Sequence, residues 1–345
     1  MNDLKTTTKR PGTVTLADVA RLAGVSTITA SRALNNPKMV SVETQERVKA
    51  AALSAGYVPN LLAGGLKSNR SRLIACLSPA LTAGSIFIVA IQAMTEAFAE
   101  AGYQVIIGQR SFDQAREDRL IDAVIARRPE GIVLMGVLES EAGRHRLRAS
   151  GIPIVETWDM SDSPIDMLVG FSHIDAGAAV ARYLHDKGRK RPAVITSSND
   201  PRAIARGQGF IDAASALGMG TPSMNVPTHG FISPSKMIHG REGLRELLTQ
   251  HPDLDCVFCA TDVVALGALA EANAQGISVP EQLAIIGFGD SDFAVAANPA
   301  LTTVRVEGVE IGRLVASQIM ARVEGKNLEG GAVDMGFCIV ERGSG

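Results

Sequence analysis

Residues 15–34 read Thr15-Leu-Ala-Asp-Val-Ala-Arg-Leu-Ala-Gly24-Val-Ser-Thr-Ile-Thr-Ala-Ser-Arg32-Ala-Leu34. Apolar side chains recur in the first half of this stretch at the spacing of one helix face, which predicts a short amphipathic helix. Thr15 is placed to cap that helix, with Asp18 three residues on as its capping-box partner. Gly24 follows the last apolar residue and can adopt the left-handed conformation that ends a helix.

A second helix is predicted over residues 27–34, with Ser26 as its N-cap. Small alanine side chains on this helix allow it to cross the first one closely. Two short helices joined by a glycine turn form the helix-turn-helix layout, in which the second helix enters the major groove of DNA. On spacing alone, any pair of antiparallel helices fits the pattern equally well.

The charges of the chain are divided unevenly. Residues 1–70 hold ten Lys and Arg against four Asp and Glu, about +6, and the remainder holds 24 against 32 (34 − 10 and 36 − 4), about −8. A small basic module on an acidic body is typical of DNA-binding proteins. Because Arg21, Arg32, Arg47 and Lys49 lie inside predicted helices, this charge does not belong only to a solvated tail.

From Leu73 onward, strands alternate with helices, a pattern typical of parallel sheets with crossover helices. Strands are predicted at 73–77, 104–108, 131–135, 153–157, 167–170, 193–196, 256–259, 284–287 and 302–306. Helical patterns lie between most of them, for example at 113–127, 175–187 and 262–275. The pattern predicts an α/β protein with more than one lobe.

Three segments of the first sixty residues carry a family resemblance. They are Val-Thr-Leu-Ala-Asp-Val-Ala at 14–20, Ala-Gly-Val-Ser at 23–26 and Gly-Tyr-Val-Pro-Asn at 56–60. Together they closely resemble the N-terminal headpiece of the lactose-repressor family of bacterial transcription regulators. The resemblance continues through the whole chain, and the C-terminal half is most similar to the gluconate-repressor branch.

The resemblance implies an all-α helix-turn-helix headpiece followed by an α/β core of two doubly wound parallel-sheet subdomains, similar to periplasmic binding proteins. The implied parts are a disordered tail at 1–12, the headpiece at 13–59, a hinge at 60–71 and an effector-binding and dimerisation core at 72–345. The N-lobe is expected at about 72–160 and 291–320, and the C-lobe at about 161–290 and 321–342. Such facing lobes form a closable cleft at the carboxyl ends of their strands.

The resemblance also implies which residues contact DNA. Thr27 and Ile28 occupy the positions that select the operator; Ile28 suits an apolar base edge such as a thymine methyl, and Arg32 suits a guanine. Leu66 matches a hinge leucine that wedges into the minor groove, although Gly64 and Gly65 disfavour a helix there. The full set is Thr15, Ser26, Thr27, Ile28, Ser31, Arg32, Asn35, Tyr57, Asn60, Ala63 and Leu66.

A second set of residues matches the effector site of the family. Arg206 matches its ligand-binding arginine, and Thr261 with Asp262 matches an Asn-Asp pair, although Asp262 is equally explained as a helix cap. Trp158, the only tryptophan, suits either stacking on a sugar or packing in the core. The full set is Ser85, Phe87, Trp158, Arg202, Arg206, Phe231, Thr261, Asp262, Gly289 and Asp290.

One position in this set bears on the charge of the effector. Most relatives that bind neutral sugars or purines carry an aspartate directly after the Gly-Tyr or Gly-Phe that ends a C-lobe strand, and here that position is Gly289. Because the aspartate carboxylate is absent at this position while Arg206 is retained, an anionic ligand such as a sugar acid is favoured. A swing of Asp290 into the cleft would restore the usual pattern, and a neutral sugar or another small metabolite is then the alternative.

Motifs for other functions are missing from the sequence. There is no nucleotide-binding glycine loop, no G-x-S-x-G and no cluster of histidines, so no enzyme activity, cofactor or metal is expected. Cys256 and Cys259 have C-x-x-C spacing, but they lie in a predicted buried strand where residues three apart face opposite sides. No signal peptide or membrane span is evident, which favours a cytoplasmic, nucleoid-associated protein without a membrane partner.

These features predict a repressor that binds a palindromic operator as a homodimer and responds to a small-molecule effector. The sequence ends just after its last predicted strand, without the leucine-rich helix that makes some relatives tetrameric, which favours a dimer. A periplasmic sugar receptor and an architectural DNA-binding protein without a ligand are the rival classes.

Overall fold

In the computed structural model, residues 14–58, 71–79, 87–111, 113–196, 200–225, 235–326 and 331–345 are described. The chain divides into two compact units, residues 1–71 and 72–345. The predicted tail at 1–12 and residues 60–70 of the predicted hinge lie outside the described ranges. Within those ranges, no helix is both long and apolar enough to cross a membrane.

The first unit contains three helices. They are α1 (Leu16–Leu22), α2 (Thr27–Asn35) and α3 (Val42–Ala55), with a short 3-10 helix (Pro37–Met39) between the last two. The predicted caps are confirmed, because Thr15 and Asp18 form a reciprocal capping box and the Ser26 side chain accepts from the Thr29 amide. Gly24 has a φ of +63°, so the turn uses the left-handed conformation that glycine permits.

Small side chains form the interior of this unit. Val19, Ala30 and Val48, one from each helix, are fully buried, and Ala33 is nearly so. Alanines at the contact let the helix axes approach closely. This close packing allows even a small three-helix unit to bury its few larger apolar side chains away from water.

The second unit is an α/β core. Its elements up to the end of the fifth strand are β1 (Leu73–Ser78), α4 (Phe87–Glu100), β2 (Gln104–Gln109), α5 (Gln114–Ile125), β3 (Gly131–Met135), α6 (Glu141–Ser150), β4 (Ile154–Thr157) and β5 (Met167–Gly170). The remaining elements are α7 (His173–Asp186), β6 (Pro192–Ile195), α8 (Pro201–Ala216), β7 (Ser223–Asn225), α9 (Met237–Gln250), β8 (Cys256–Cys259), α10 (Asp262–Ala274), β9 (Ala284–Phe288), a 3-10 helix (Asp292–Ala294), β10 (Thr302–Arg305), α11 (Gly308–Val323), β11 (Ala332–Asp334) and β12 (Cys338–Val340).

Two six-stranded sheets define two lobes. The first lobe has the strand order β11-β5-β4-β3-β1-β2 and is parallel throughout. The second lobe has the order β12-β10-β9-β8-β6-β7, and only β12 runs antiparallel. The expected fold class, a helical headpiece with two doubly wound parallel-sheet lobes, is confirmed.

Helices cover both faces of each sheet. In the first lobe α4 packs with α11 and α5 with α6, and in the second lobe α7 packs with α8 and α9 with α10. Successive residues of β1 show the two faces, because Ile74 and Cys76 join one apolar cluster while Ala75 and Leu77 join another. Strands buried on both faces read as continuous apolar runs, which is why they are recognisable in the sequence.

All nine predicted strands are present, and the structure adds three short ones. β7, β11 and β12 have three residues each and lie at sheet edges, where little of their surface is buried. A strand of three partly exposed residues contains no apolar run, so the sequence pattern does not predict these three strands.

The chain crosses between lobes later than expected. β5 and β11 lie in the first lobe and β10 in the second, so the crossings follow residues 170, 305 and 334 instead of lying near 160, 290 and 320. The expected lobe boundaries are therefore wrong for these three strands. A buried-strand pattern shows that a strand is covered on both faces but does not identify the sheet to which it belongs.

Glycines bring α7 and α8 into close contact. A Cβ added at Gly177 would meet the backbone of Arg206, and one added at Gly209 would meet the carbonyl of Ile174. The two helices therefore cross backbone to backbone. This crossing fixes where the side chains of Arg206 and His173, which lie beside it, can meet.

We predict that Gly209→Ala destabilises the core by about 1–3 kcal/mol, since an added methyl against a fixed carbonyl forces the helices apart. Gly207→Ala in the same helix is the matched control, because there the nearest atom is the flexible end of Met224. Thermal or urea unfolding measures both. Equal stability of the two variants would contradict the backbone-contact explanation.

Candidate functional site

Helix α2 presents side chains to solvent along its length. Thr27, Arg32 and Asn35 are exposed, and Ile28 is 66% exposed. Ile28 therefore is not part of the apolar interior, which Val19, Ala30 and their neighbours form. The exposed side chain of Ile28 in the first turn of α2 is accessible to a binding partner.

The other expected DNA contacts have mixed surroundings. Thr15 and Ser26 use their hydroxyls to cap helices, and Ser31 accepts a hydrogen bond from Asn35. Tyr57 packs against the apolar interior of the three-helix unit. Asn60, Ala63 and Leu66 lie outside the described residues.

In the core, aromatic rings run from the first lobe to the second. Trp158, just after β4, packs edge-on against Phe87 at 5.2 Å and Phe171 at 6.0 Å between ring centroids. Phe171 in turn lies 6.1 Å from Phe288 at the end of β9. Trp158 is 1% exposed, so its ring packs in the core rather than presenting a face for sugar stacking.

Arg206 lies buried beside this row of rings. Its guanidinium stands 3.9 Å from the centre of the Phe288 ring, donates to Nδ1 of His173 at 2.9 Å and donates to the Ala260 carbonyl at 2.9 Å. Its Nε has no hydrogen-bond partner among the described residues. Burial lowers the pKa of Arg206 to about 10, with Asp200 opposing the shift, so the group stays charged at neutral pH.

His173 joins the two lobes through both ring nitrogens. Nε2 lies 2.9 Å from the Trp158 carbonyl, which can only accept, so Nε2 carries the proton and Nδ1 accepts from Arg206. Burial and the charge of Arg206 lower the pKa of His173 well below its ordinary value. The neutral imidazole therefore links Trp158 of the first lobe to Arg206 of the second.

Arg202 lies one helical turn before Arg206 and has a carboxylate partner. Asp200 accepts from Nε at 3.0 Å and from Nη2 at 2.8 Å. Burial alone would raise the pKa of Asp200, but the charge and hydrogen bonds of Arg202 outweigh it and hold the pKa at about 2. The Arg202 guanidinium also stands 4.8 Å from the ring centre of Phe87 in the first lobe.

A cavity of about 600 Å³ opens between the lobes at this point. Its first-lobe wall includes Arg110, Gly136 and Asp159, and its second-lobe wall includes Asp200 and Arg202. Burial raises the pKa of Asp159. The volume lies within the range of small-molecule sites, and the lining offers both hydrogen-bond donors and acceptors.

Thr261 and Asp262 have structural partners. Thr261, not Asp262, is the N-cap of α10, and its hydroxyl accepts from the Val264 amide. The buried carboxylate of Asp262 accepts from the Thr303 hydroxyl at 2.5 Å and from the Ser291 amide at 2.7 Å. Both oxygens of Asp262 are thus used to hold the segment after β9, and the helix-cap explanation for this residue is wrong.

The segment that follows β9 holds the carboxylate next to Gly289, that of Asp290, in two ion pairs. Gly289 has a φ of +129°. The carboxylate of Asp290 accepts from Arg305 at 2.6 Å and from Arg342 at 2.6 Å. In this structure Asp290 therefore does not swing into the cleft to replace the missing aspartate.

The structure brings together Phe87, Trp158, Arg202 and Arg206, whereas the carboxylates of Asp262 and Asp290 are engaged by other partners. Ser85 and Phe231 lie outside the described residues. Sequence reasoning missed His173, which is 15 and 33 residues from its two partners. No local motif signals a pairing at such separations.

The chain matches two known families. Residues 15–60 match the bacterial regulatory proteins of the lacI family, and residues 181–345 match a periplasmic binding protein-like domain. The HTH-type transcriptional regulator GntR of Pseudomonas aeruginosa is 39% identical, over 99% of this chain and 98% of that protein. The regulator GntR of Escherichia coli is 29% identical, over 97% of this chain and 99% of that protein.

A solved structure gives the same assignment. The LacI-family transcriptional regulator of Silicibacter pomeroyi is 32% identical and has a TM-score of 0.88, covering 96% of this chain and 99% of its own. The chain belongs to the LacI family of bacterial regulatory proteins. It is a DNA-binding transcription regulator and not an enzyme.

We predict that Ile28→Ala lowers discrimination between operator and random DNA by about 1–3 kcal/mol, the cost of one mismatched base pair. Leu53→Ala is the control, because Leu53 is 85% exposed on α3, outside the recognition helix. Fluorescence anisotropy with both duplexes measures the two variants. If Ile28→Ala kept the full preference, Ile28 would not contact a base.

Proposed function

We propose that this regulator represses genes of sugar-acid catabolism, such as those for gluconate or a ketogluconate. In this proposal it binds a palindromic operator as a homodimer in the cytoplasm, and a small sugar acid controls the binding. Support for the class of genes comes from the similarity to regulators named GntR and from the gluconate-repressor resemblance of the C-terminal half.

One observation carries the proposed charge of the effector. Three buried polar atoms around the row of rings have no partner among the described residues: Nη1 of Arg202, Nε of Arg206 and Nε1 of Trp158. All three are hydrogen-bond donors. A buried donor without an acceptor costs about 1–3 kcal/mol, so the site favours a ligand rich in acceptors. A carboxylate has only acceptors, and it also offsets the charge of the arginines.

The pairing of Asp290 supports the same conclusion. Gly289 stands at the position of the usual aspartate, and the carboxylate of Asp290 is held by Arg305 and Arg342. An anionic ligand therefore meets no like charge from these two positions.

Exposed apolar residues on the first lobe support a dimer. Ile88 and Val89 on α4 are 42% and 49% exposed, and Ile106 and Ile107 on the edge strand β2 are 49% and 41% exposed. We call these four residues the α4–β2 patch. Apolar groups beside an open sheet edge are typical of a surface that pairs with another chain.

Isothermal titration of the full chain tests the effector. We expect gluconate, 2-ketogluconate or 6-phosphogluconate to bind and glucose not to bind, because a charged acceptor bonds the buried donors more strongly than a hydroxyl does and also offsets the charge of the arginines. Release or strengthening of operator binding by the same acid would link the site to regulation. Binding of glucose alone would contradict the proposal and favour the neutral-sugar alternative.

A pair of substitutions isolates the charge at position 289. Gly289→Asp and Gly289→Ala both strain a backbone with a φ of +129°, but only the aspartate adds a negative charge. We expect the aspartate variant to bind the sugar acid at least tenfold more weakly than the alanine variant, through like-charge repulsion. Equal affinities would show that the missing carboxylate does not select an anion.

The dimer is tested at the α4–β2 patch. Ile106→Glu places a charge on the exposed edge of β2, and we expect sedimentation of the full chain to shift from dimer to monomer. Val295→Glu is the control, since Val295 is 65% exposed in the second lobe, outside the patch. A dimer that persists in Ile106→Glu would place the interface elsewhere.

A further inference from the structure

Among the described residues, four that are not glycine have a left-handed backbone: Arg72, Arg128, Trp158 and Asp290. This conformation is uncommon for a residue that carries a side chain, and it persists only where surrounding contacts hold it. Trp158 and Asp290 follow the carboxyl ends of β4 and β9. Arg72 and Arg128 instead precede β1 and β3, at the amino end of the first sheet. This end therefore holds strained backbone that the cleft does not explain.

Arg72 is the residue at which the chain enters the core. It directly precedes β1, and residues 59–70 join it to the DNA-binding unit. With a φ of +52°, Arg72 turns the chain away from the line of β1 instead of extending the strand. The conformation of this one residue therefore sets the direction in which the chain leaves the core.

The carboxylate of Glu130 holds this turn. Its Oε1 accepts from the backbone amide of Arg72 at 2.6 Å, and its Oε2 accepts from the Tyr103 hydroxyl at 3.3 Å. The amide of Glu130 donates to the Leu73 carbonyl at 2.7 Å. Because a bond to a carboxylate is stronger than a bond between neutral groups, Glu130 fixes the Arg72 amide more firmly than a backbone carbonyl would.

The first residues of β2 and the turn before it hold the other side of Arg72. The Arg72 carbonyl accepts from the Gln104 amide at 2.8 Å. Its guanidinium lies 5.1 Å from the ring centre of Tyr103, which is 6% exposed and packs edge-on against Phe98. Arg72 is thus bonded through its amide to the residue before β3 and through its carbonyl to β2, while its side chain covers a buried ring.

We infer that Glu130 anchors the chain where it enters the core, and that Glu130, Tyr103 and Arg72 are positioning residues for operator binding. Their role requires no contact with DNA. They hold the chain in one direction, so that the DNA-binding unit does not search among others. When only a fraction of the molecules has the competent arrangement, the apparent affinity is reduced in proportion to that fraction.

Substitution of Glu130 in the full chain tests the anchor. An operator is first selected from random duplexes with the unmodified chain, and fluorescence anisotropy then compares it with a random duplex of equal length. We expect Glu130→Ala to bind the operator about tenfold more weakly, as for loss of a hydrogen bond to a charged group. Binding to the random duplex should stay nearly unchanged, since it depends on charge and not on direction. Glu130→Gln keeps an acceptor for the Arg72 amide and should retain most of the operator affinity.

Asp166 provides the matched control. It lies at the same end of the first sheet, where its Oδ2 accepts from the Ile154 amide at 3.1 Å and its Oδ1 pairs with Arg322. Asp166→Ala therefore removes a carboxylate–amide bond of the same kind, but not at the residue where the chain enters. We expect both alanine variants to unfold at a lower temperature, and only Glu130→Ala to lose preference for the operator.

Half-site spacing gives a readout that a loss of stability does not change. A dimer binds two half-sites at a fixed separation, so two base pairs inserted at the centre of the operator should weaken binding of the unmodified chain. We expect this difference to shrink in Glu130→Ala, because a chain that leaves in several directions reaches both spacings, and to persist in Asp166→Ala. This measurement rests on the proposed homodimer. An unmodified chain that ignores the insertion would contradict the dimer, and the comparison with random DNA still decides the anchor.

Two results would overturn the inference. One is a Glu130→Ala variant that keeps the preference of the unmodified chain for operator over random DNA. The other is an Asp166→Ala variant that loses this preference to the same extent, because the loss would then come from the stability of the sheet and not from the point of chain entry.

Discussion

His173 lies where the chain first passes from one sheet to the other, and each of its ring nitrogens bonds a different lobe. A carbonyl on one side and a guanidinium on the other allow only one neutral tautomer. Loss of either bond would leave a buried polar group unsatisfied, at a cost of about 1–3 kcal/mol. The positions of Trp158 and Arg206, and through them the shape of the cleft, depend on this one imidazole.

The same contact explains why α8 is sensitive to the relative position of the two lobes. Its two arginines contact the first lobe at two points, Arg206 through His173 and Arg202 through the Phe87 ring. Any relative movement of the lobes must change at least one of these contacts. A ligand that binds one arrangement better than the other shifts their populations.

How far the sequence predicts this structure depends on how far apart along the chain the interacting residues lie. The capping box of Thr15 and Asp18 and the glycine turn are local, and the sequence predicts both. Most of the nine predicted strands are recognisable because burial on both faces makes them largely apolar, whereas β2 is an exposed edge strand. The lobe crossings are misplaced by one strand each, and the pairing of His173 with Arg206 is missed, because neither is encoded in adjacent residues. The hinge residues around Leu66 stay predictions.

The hydrogen-bond partners of the Asp262 and Asp290 carboxylates show why family patterns predict the effector site only in part. A carboxylate buried near a cleft must find donors, and when no ligand supplies them the chain does so itself. Asp262 is satisfied by Thr303 and Ser291, and Asp290 by two arginines. With these acceptors consumed internally, the buried groups left without partners around the rings are N–H donors. The chemical preference of the cleft therefore follows from which groups the fold leaves unpaired, and not only from which residue types line up with a relative.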